Sequence, residues 1–272
     1  MSSQNDPRLL KQTETEIILY HDGKNAHRVI HTSFEGKVPS EITWVLPFPS
    51  KPVSYTESSP ELFVETHALF KDLYASGGGT MQKGANSMQR AMPSTIRVHE
   101  QKVVGNYEIT PLEILRSDDG RDLNVWLKKH GFNTMPDALQ KPYLRKGAYF
   151  LAVRIKTGGE ASRMKPLDIA YPAKNLDFPV RFTHAGREYD LSLYVVSELN
   201  AEKMQVRAGQ LVRESYAERS STLELPSTLE TQKFGLAKML KPRTITQVIF
   251  RGLNSAAKPL SKLAADPSFE AK

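Results

Sequence analysis

The sequence predicts an α+β fold, with mainly antiparallel, hairpin-rich sheets and two or three helices packed on one side. Three observations predict it. β-rich runs meet at turn signals: Asp22-Gly23, within the stretch 21–26, supplies the positive-φ residue a hairpin needs, and Gly105-Asn106 is a two-residue turn pair. The run Trp44-Val45-Leu46-Pro47-Phe48-Pro49 is almost wholly apolar, as a buried strand is, yet carries two prolines. Proline lacks the ladder N–H, so Pro47 and Pro49 belong at a strand's end or on an edge. Apolar residues at helical spacing recur after Ser59 and after Asp119.

The elements follow in chain order. Runs 15–20 and 27–34 flank the first turn, and 41–48 continues them as a third strand, which predicts an antiparallel meander. Ser59 caps a helix with Pro60 at its first position and Glu61 in its first turn. Leu62, Phe63, Thr66, Leu69, Phe70 and Leu73 make its inner face. Residues 76–94 are rich in Gly, Met and polar types without periodicity, which predicts a mobile loop. Runs 95–104 and 107–115 form the second hairpin, with Pro111 marking an edge or bulge in its return strand. Asp119 caps a helix carrying Leu123, Trp126, Leu127 and His130 at i, i+3, i+4 and i+7, with Trp126 expected in the core. Gly131 ends that helix in the left-handed conformation. A short helix opens at Thr134-Met135-Pro136-Asp137 and breaks near Pro142. Strands follow at 148–155 and 167–171, with a paired set at 180–183 and 189–196.

Beyond Ser197 the pattern weakens. Residues 215–232 are rich in Ser, Thr and Glu, and 244–251 has strand character. The sequence therefore predicts an α+β domain over 1–214, then a linker and basic extension over 215–272. Of the net charge of +7, the stretch 233–272 supplies eight Lys/Arg against Asp266 and Glu270. Lys238, Lys241, Arg243 and Arg251 are the candidate contacts for an anion or partner on this tail. Aromatic residues are too sparse among these cations for a nucleic-acid platform.

Composition narrows the chemistry. With no cysteine among 272 residues, disulfides, thiol catalysis and cysteine-ligated metals are excluded. No stretch reaches about 18 consecutive apolar residues, so no integral membrane segment is expected. Residues 1–8 lack the apolar core of a signal peptide. His21, His27 and His31 lie on one hairpin, but Lys24 and Arg28 stand among them, so exposed histidines rather than zinc ligands are expected. Asp118, Asp119 and Asp122 lack calcium-loop spacing and serve as helix-terminus acids. Gly77-Gly78-Gly79 follows a helix instead of preceding one, the wrong order for a phosphate loop. Ser162 and Lys165 fit S-x-x-K, but they follow Lys156-Thr157-Gly158, the reverse of the penicillin-binding order. No metal, cofactor or catalytic residue is assigned.

Several pieces, in their order and spacing, resemble one bacterial family. They are Ile17 to Gly23, Trp44 to Pro49, Pro60-Glu61-Leu62-Phe63, and Asp122 to Leu127 with His130-Gly131-Phe132. Gly147 to Arg154 and Leu191 to Val196 complete the set. Over about residues 9–197 the chain resembles number 2330 in the domain-of-unknown-function series. The resemblance implies an extracytoplasmic protein, in the periplasm or at the cell surface, and it carries no catalytic residues because the family has no assigned activity. The expected function is a non-enzymatic binding or structural protein of the cell envelope, with an unidentified protein partner. The alternatives are a hydrolase-like enzyme whose groups converge only on folding, and an anion- or nucleic-acid-binding module acting through the basic tail.

Overall fold

The computed structural model describes residues 10–36, 38–70, 95–116, 120–159, 164–180, 189–214, 216–225, 243–253 and 266–270. Two sheets stack face to face. The larger has seven strands: β1 (Leu10–His21), β2 (Ala26–Gly36), β4 (Ser54–Glu57), β9 (Leu167–Tyr171), β11 (Tyr189–Ser197), β12 (Ala217–Glu224) and β13 (Thr244–Leu253). Their order is β12-β13-β11-β1-β2-β9-β4. The smaller runs β3 (Glu41–Phe48), β8 (Tyr149–Lys156), β7 (Tyr107–Ile114) and β5 (Ile96–Val98), with β6 (Lys102–Val104) also paired to β7. A two-stranded ribbon joins β10 (Asn175–Asp177) to β14 (Ser268–Glu270).

Alternation along the strands sorts side chains into three layers of core. Ile17 and Leu19, with Leu191, Leu193 and Val195, face Leu151, Val153 and Ile155 across the gap between the sheets. Their neighbours Ile18, Tyr20, Tyr194 and Val196 point the other way, onto Leu62, Phe63 and Phe70 of helix α1 (Glu61–Phe70). On the far side of the smaller sheet, Phe150, Ala152 and Leu112 meet Leu123 and Leu127 of α2 (Arg121–Lys129). The order of layers is thus helix, sheet, sheet, helix. The helices cover opposite outer faces, not one side as expected, because strands of both sheets are apolar on both faces. Helix α4 (Ala201–Glu214) packs on β12 and β13 and adds Met204 to the central core.

Local chemistry sets the turns. Asp22 Oδ1 accepts from the backbone N–H of Lys24 (2.8 Å) and Asn25 (2.6 Å), and Gly23 takes a φ of 92°, which closes the β1–β2 hairpin. At the end of α2, Gly131 has a φ of 78°; its N–H reaches Lys128 O (3.2 Å), and the Phe132 N–H reaches Leu127 O (2.9 Å). This Schellman closure turns Phe132 back onto the sheet. A short α3 (Asp137–Gln140) leads into a 3₁₀ turn that contains Pro142. As expected of its prolines, β3 is an edge strand. Pro111 instead lies inside the smaller sheet. Its carbonyl accepts from His99 N–H (2.9 Å), where the chain passes from β5 to β6, so the missing N–H falls at a break in the partner strand.

Several expectations are corrected. β3 pairs with β8 and not with β2, so the opening strands form no meander; β2 pairs with β9 instead. β1 pairs parallel with β11, which makes the larger sheet mixed. Val180 is in no strand, and β11 lies between β1 and β13. Residues read as a linker form β12, and β13 is buried between β12 and β11. The expected boundary near residue 214 therefore cuts through one sheet. Residues 76–94 and most of the basic tail lie outside the described residues.

Candidate functional site

Two buried polar clusters lie on the outer face of the larger sheet. In the first, Tyr20 and His27 stack with ring centroids 4.3 Å apart. The His27 side chain is 7% exposed and spans two carboxylates, with Nδ1 at 3.0 Å from Asp168 Oδ1 and Nε2 at 3.2 Å from Asp22 Oδ2. A ring with a carboxylate at each nitrogen donates from both, so it is held as an imidazolium. Burial opposes that charge, but the bonds and fields of Asp168 and Asp22 outweigh it and raise the His27 pKa. Burial likewise disfavours the Asp22 charge. The Asn25 and Lys24 amides and His27 overcome it and hold Asp22 at about 2. Tyr20 donates to Asp168 Oδ2 (3.1 Å), and burial, with the Asp168 charge, keeps its phenol protonated.

In the second cluster Glu16, 7% exposed, accepts from His31 Nδ1 (3.2 Å) on Oε2 and from His67 Nε2 on Oε1. Burial alone would raise its pKa; the two imidazoles reverse this and hold it at about 2. His67 belongs to α1, so this carboxylate pins the helix to the sheet. Tyr194, which accepts from Gln247 Nε2 (2.9 Å), fills the space against His67 and Phe70.

Neither cluster has the layout of a nucleophile–base–acid triad. The His27–Asp168 pair has the form of a base and its orienting acid, but the far nitrogen faces Asp22 where a nucleophile would have to stand. Glu16 has an imidazole on each oxygen. Among the described residues no group of three or more His, Asp or Glu is disposed to hold a metal ion. The three hairpin histidines diverge. His21 Nε2 lies 3.1 Å from Ala173 O, while His27 and His31 go to different acids. His27 is buried, against expectation, because its two carboxylates offset the cost of burying the charge. Between the sheets lies a further buried cation. Arg28, 1% exposed, donates to the carbonyls of Pro47 (3.0 Å) and Asp177 (3.1 Å), with its guanidinium 4.2 Å from the centre of the Phe48 ring.

An open groove of roughly 280 Å³ lies on the other side of the molecule. Its floor is the part of the β7–β8 face beyond α2, with Glu108, Thr110 and Arg154, and its wall is Trp126, His130 and Phe132. Trp126 is half-buried, not in the core as its spacing predicts, and stacks on His130 at 4.0 Å. Arg154 is anchored to Glu41 Oε1 (2.5 Å) and His130 O (2.7 Å) and lies 5.3 Å from the Phe132 ring centre. Glu108 pairs with Lys156 (3.1 Å). A larger recess, about 470 Å³, follows one flank of α4 and is lined by successive turns of that helix together with Leu199.

The four tail cations do not form a described patch. Lys238 and Lys241 lie outside the described residues. Arg243 and Arg251 stand near opposite ends of β13, about 25 Å apart at ~3.3 Å per residue. Arg251 Nη1 is 3.1 Å from Asp190 Oδ2. Sequence reasoning missed Glu16, His67 and Asp168. An acid at Glu16, in register with the apolar Ile18 and Tyr20 of the same strand face, was the one signal available.

Fold and sites together define a layered α+β sandwich with a buried carboxylate tied to one helix and an aromatic groove beside another. No helix among the described residues is long and apolar enough to cross a membrane. The chain belongs to the family described as "Uncharacterized protein conserved in bacteria (DUF2330)", whose model matches residues 1–231, further than the motifs alone reach. Among curated proteins none matches. Among solved structures the chain is similar to baculovirus P35, at 14% identity and a TM-score of 0.47, covering 91% of this chain and 94% of that one. A mutated baculovirus P35 after caspase cleavage matches at 15% identity and a TM-score of 0.42, covering 81% and 78%. P35 in its complex with caspase-8 matches at 13% and 0.40, covering 80% and 76%.

Proposed function

We propose that the protein is a non-enzymatic binding or structural protein of the bacterial cell envelope. The observation that carries this reading is the state of its buried acids and bases. Glu16, His27, Asp22 and Asp168 are each bonded to one another or to a neighbouring histidine or tyrosine, and only Asp22 among them is partly exposed. Perturbed titrating groups mark function when they line a cleft, and structural ion pairs perturb titration equally well. The groove, which is open, presents stacked rings and paired charges, a surface suited to contact. The envelope half of the reading rests on the family resemblance.

Two measurements test it. Chromogenic ester, phosphate, amide and glycoside substrates should show no turnover above buffer with the purified chain. Turnover that His27→Gln abolishes would sink the non-enzymatic reading. Fractionation of a bacterium expressing its own full-length gene should recover the protein with the envelope. Recovery in the cytosol would remove that half of the proposal.

A further inference from the structure

We infer that the groove between the end of α2 and the uncovered face of β7 and β8 binds a neutral saccharide, its apolar face laid against the wall of Trp126, His130 and Phe132. This rests on the binding-protein reading and adds the ligand's chemical class. A pyranose has an apolar C–H face and a rim of hydroxyls, so its site needs a flat aromatic surface beside several hydrogen-bonding side chains. The groove has both. Trp126 and Phe132 form the aromatic wall, and Thr110, Gln101, Glu108 and Arg154 offer donors and acceptors around it. Its 280 Å³ matches a small ligand or a short stretch of a chain.

Charge selects among occupants. The two cations of this face are neutralised, Arg154 by Glu41 at 2.5 Å and Lys156 by Glu108 at 3.1 Å. A phosphate backbone or an acidic polymer would find no unpaired Lys or Arg in the lining to replace its counterions. The floor is the face of paired strands, whose backbone groups bond to each other, so an extended peptide has no ladder to join. What remains is an uncharged ligand with one apolar face and many hydroxyls.

The walls are also held in place before any ligand arrives. His130 stacks on Trp126 at 4.0 Å and 20°, and its Nδ1 lies 2.8 Å from Trp126 O. The Gly131 closure fixes Phe132, and Arg154 is bonded at both terminal nitrogens. A site whose side chains are already immobilised loses less conformational freedom on binding.

The chain has two tryptophans, so Trp44→Phe leaves Trp126 as sole reporter in the intact protein. Its emission should change saturably with cellohexaose or chitohexaose, independently of salt. Thr110→Glu, a half-exposed strand position, places a charge on the groove floor and should weaken binding by about tenfold or more with the far-UV spectrum unchanged. Binding unaffected by Thr110→Glu would overturn the location. Saturable binding of polygalacturonate or a polyproline peptide, with no response to either neutral sugar, would overturn the assignment to a neutral saccharide and leave the binding-protein reading standing. No response to any probe would overturn the saccharide assignment. Shortening of the oligosaccharide on incubation would support the groove as a sugar site and overturn the non-enzymatic reading.

Discussion

Replacing Glu16 by Gln keeps the shape of the carboxylate that ties α1 to the larger sheet and removes its charge. Its pKa falls from 4.5 to about 2 on folding, and at 1.36 kcal/mol per pH unit the charged form contributes about 3 kcal/mol at pH 7. The sign follows from the direction of the shift. A carboxyl depressed by folding stabilises above its unfolded pKa and loses that contribution as pH falls through the folded one. At pH 3 the same linkage leaves about 1.4 kcal/mol, so the native protein should lose about 2 kcal/mol from this group between pH 7 and pH 3. Urea titrations at both pH values, read as shifts in midpoint at constant slope, measure the difference. Glu16→Gln should be about 3 kcal/mol less stable at pH 7, with the gap from wild type narrowing toward pH 3. A variant within about 0.5 kcal/mol of wild type at pH 7, with an undiminished acid-side slope, would show that the two imidazoles contribute no net stability through Glu16.

His27 titrates with the opposite sign. Its pKa is raised by folding, so its contribution is complete below 6.5 and is lost as pH rises through the folded value; urea midpoints of His27→Gln should lack the alkaline-side decline of wild type. Arg28→Ala empties a buried site and strands the Pro47 and Asp177 carbonyls, at a cost of about 3–5 kcal/mol in the same assay, and Arg28→Lys should recover only part of it. Gly120 has a φ of 69°, and a Cβ there would meet Gln140 Oε1 at 2.4 Å, whereas Gly147, with a φ of 80°, has open space. Gly120→Ala should therefore lower the thermal midpoint more than Gly147→Ala, and equal shifts would mean that Gln140 moves aside freely. Trp126→Ala should cost about 1–3 kcal/mol, less than a core aromatic, as expected of a half-buried wall residue.

Local signals in the sequence predicted local structure well. Asp22-Gly23 and Gly105-Asn106 mark real turns, Pro60 and Gly131 bound real helices, and 167–171 is a strand at the expected residues. Strand partners were not readable, since an apolar run carries no label for its neighbour. β1 and β11 are both apolar on both faces, and only the whole sheet decides that they lie parallel. β12, Ala217–Glu224, was mistaken for a linker because its Ser, Thr and Glu content masks the β-propensity of Thr222 and Leu223. α4 was missed because its buried stripe, among the described side chains, is slight, Met204 and Ala208, although Asn200 Oδ1 caps it through the Lys203 N–H (3.0 Å). Of the two polar clusters, sequence reasoning picked out His27 and His31, but Asp168 and His67 reach them only through tertiary structure.

The place of β1 in the larger sheet has a consequence during synthesis. It is the earliest described strand to leave the ribosome, yet it is the middle of seven, and six of its residues, Glu14 to Leu19, pair with β11, whose end is Ser197. Until β11 has emerged, the β1 edge of the nascent β1–β2 hairpin has no strand partner, the condition that recruits holding chaperones or lets edges self-associate. Pairing across so long a separation is also slow. A chain arrested at residue 188 should therefore pellet or bind a holdase, while one arrested past residue 253, with β11 and β13 both present, should stay dispersed. If the two arrested chains behave alike, the hairpin is shielded by something other than its sheet partners.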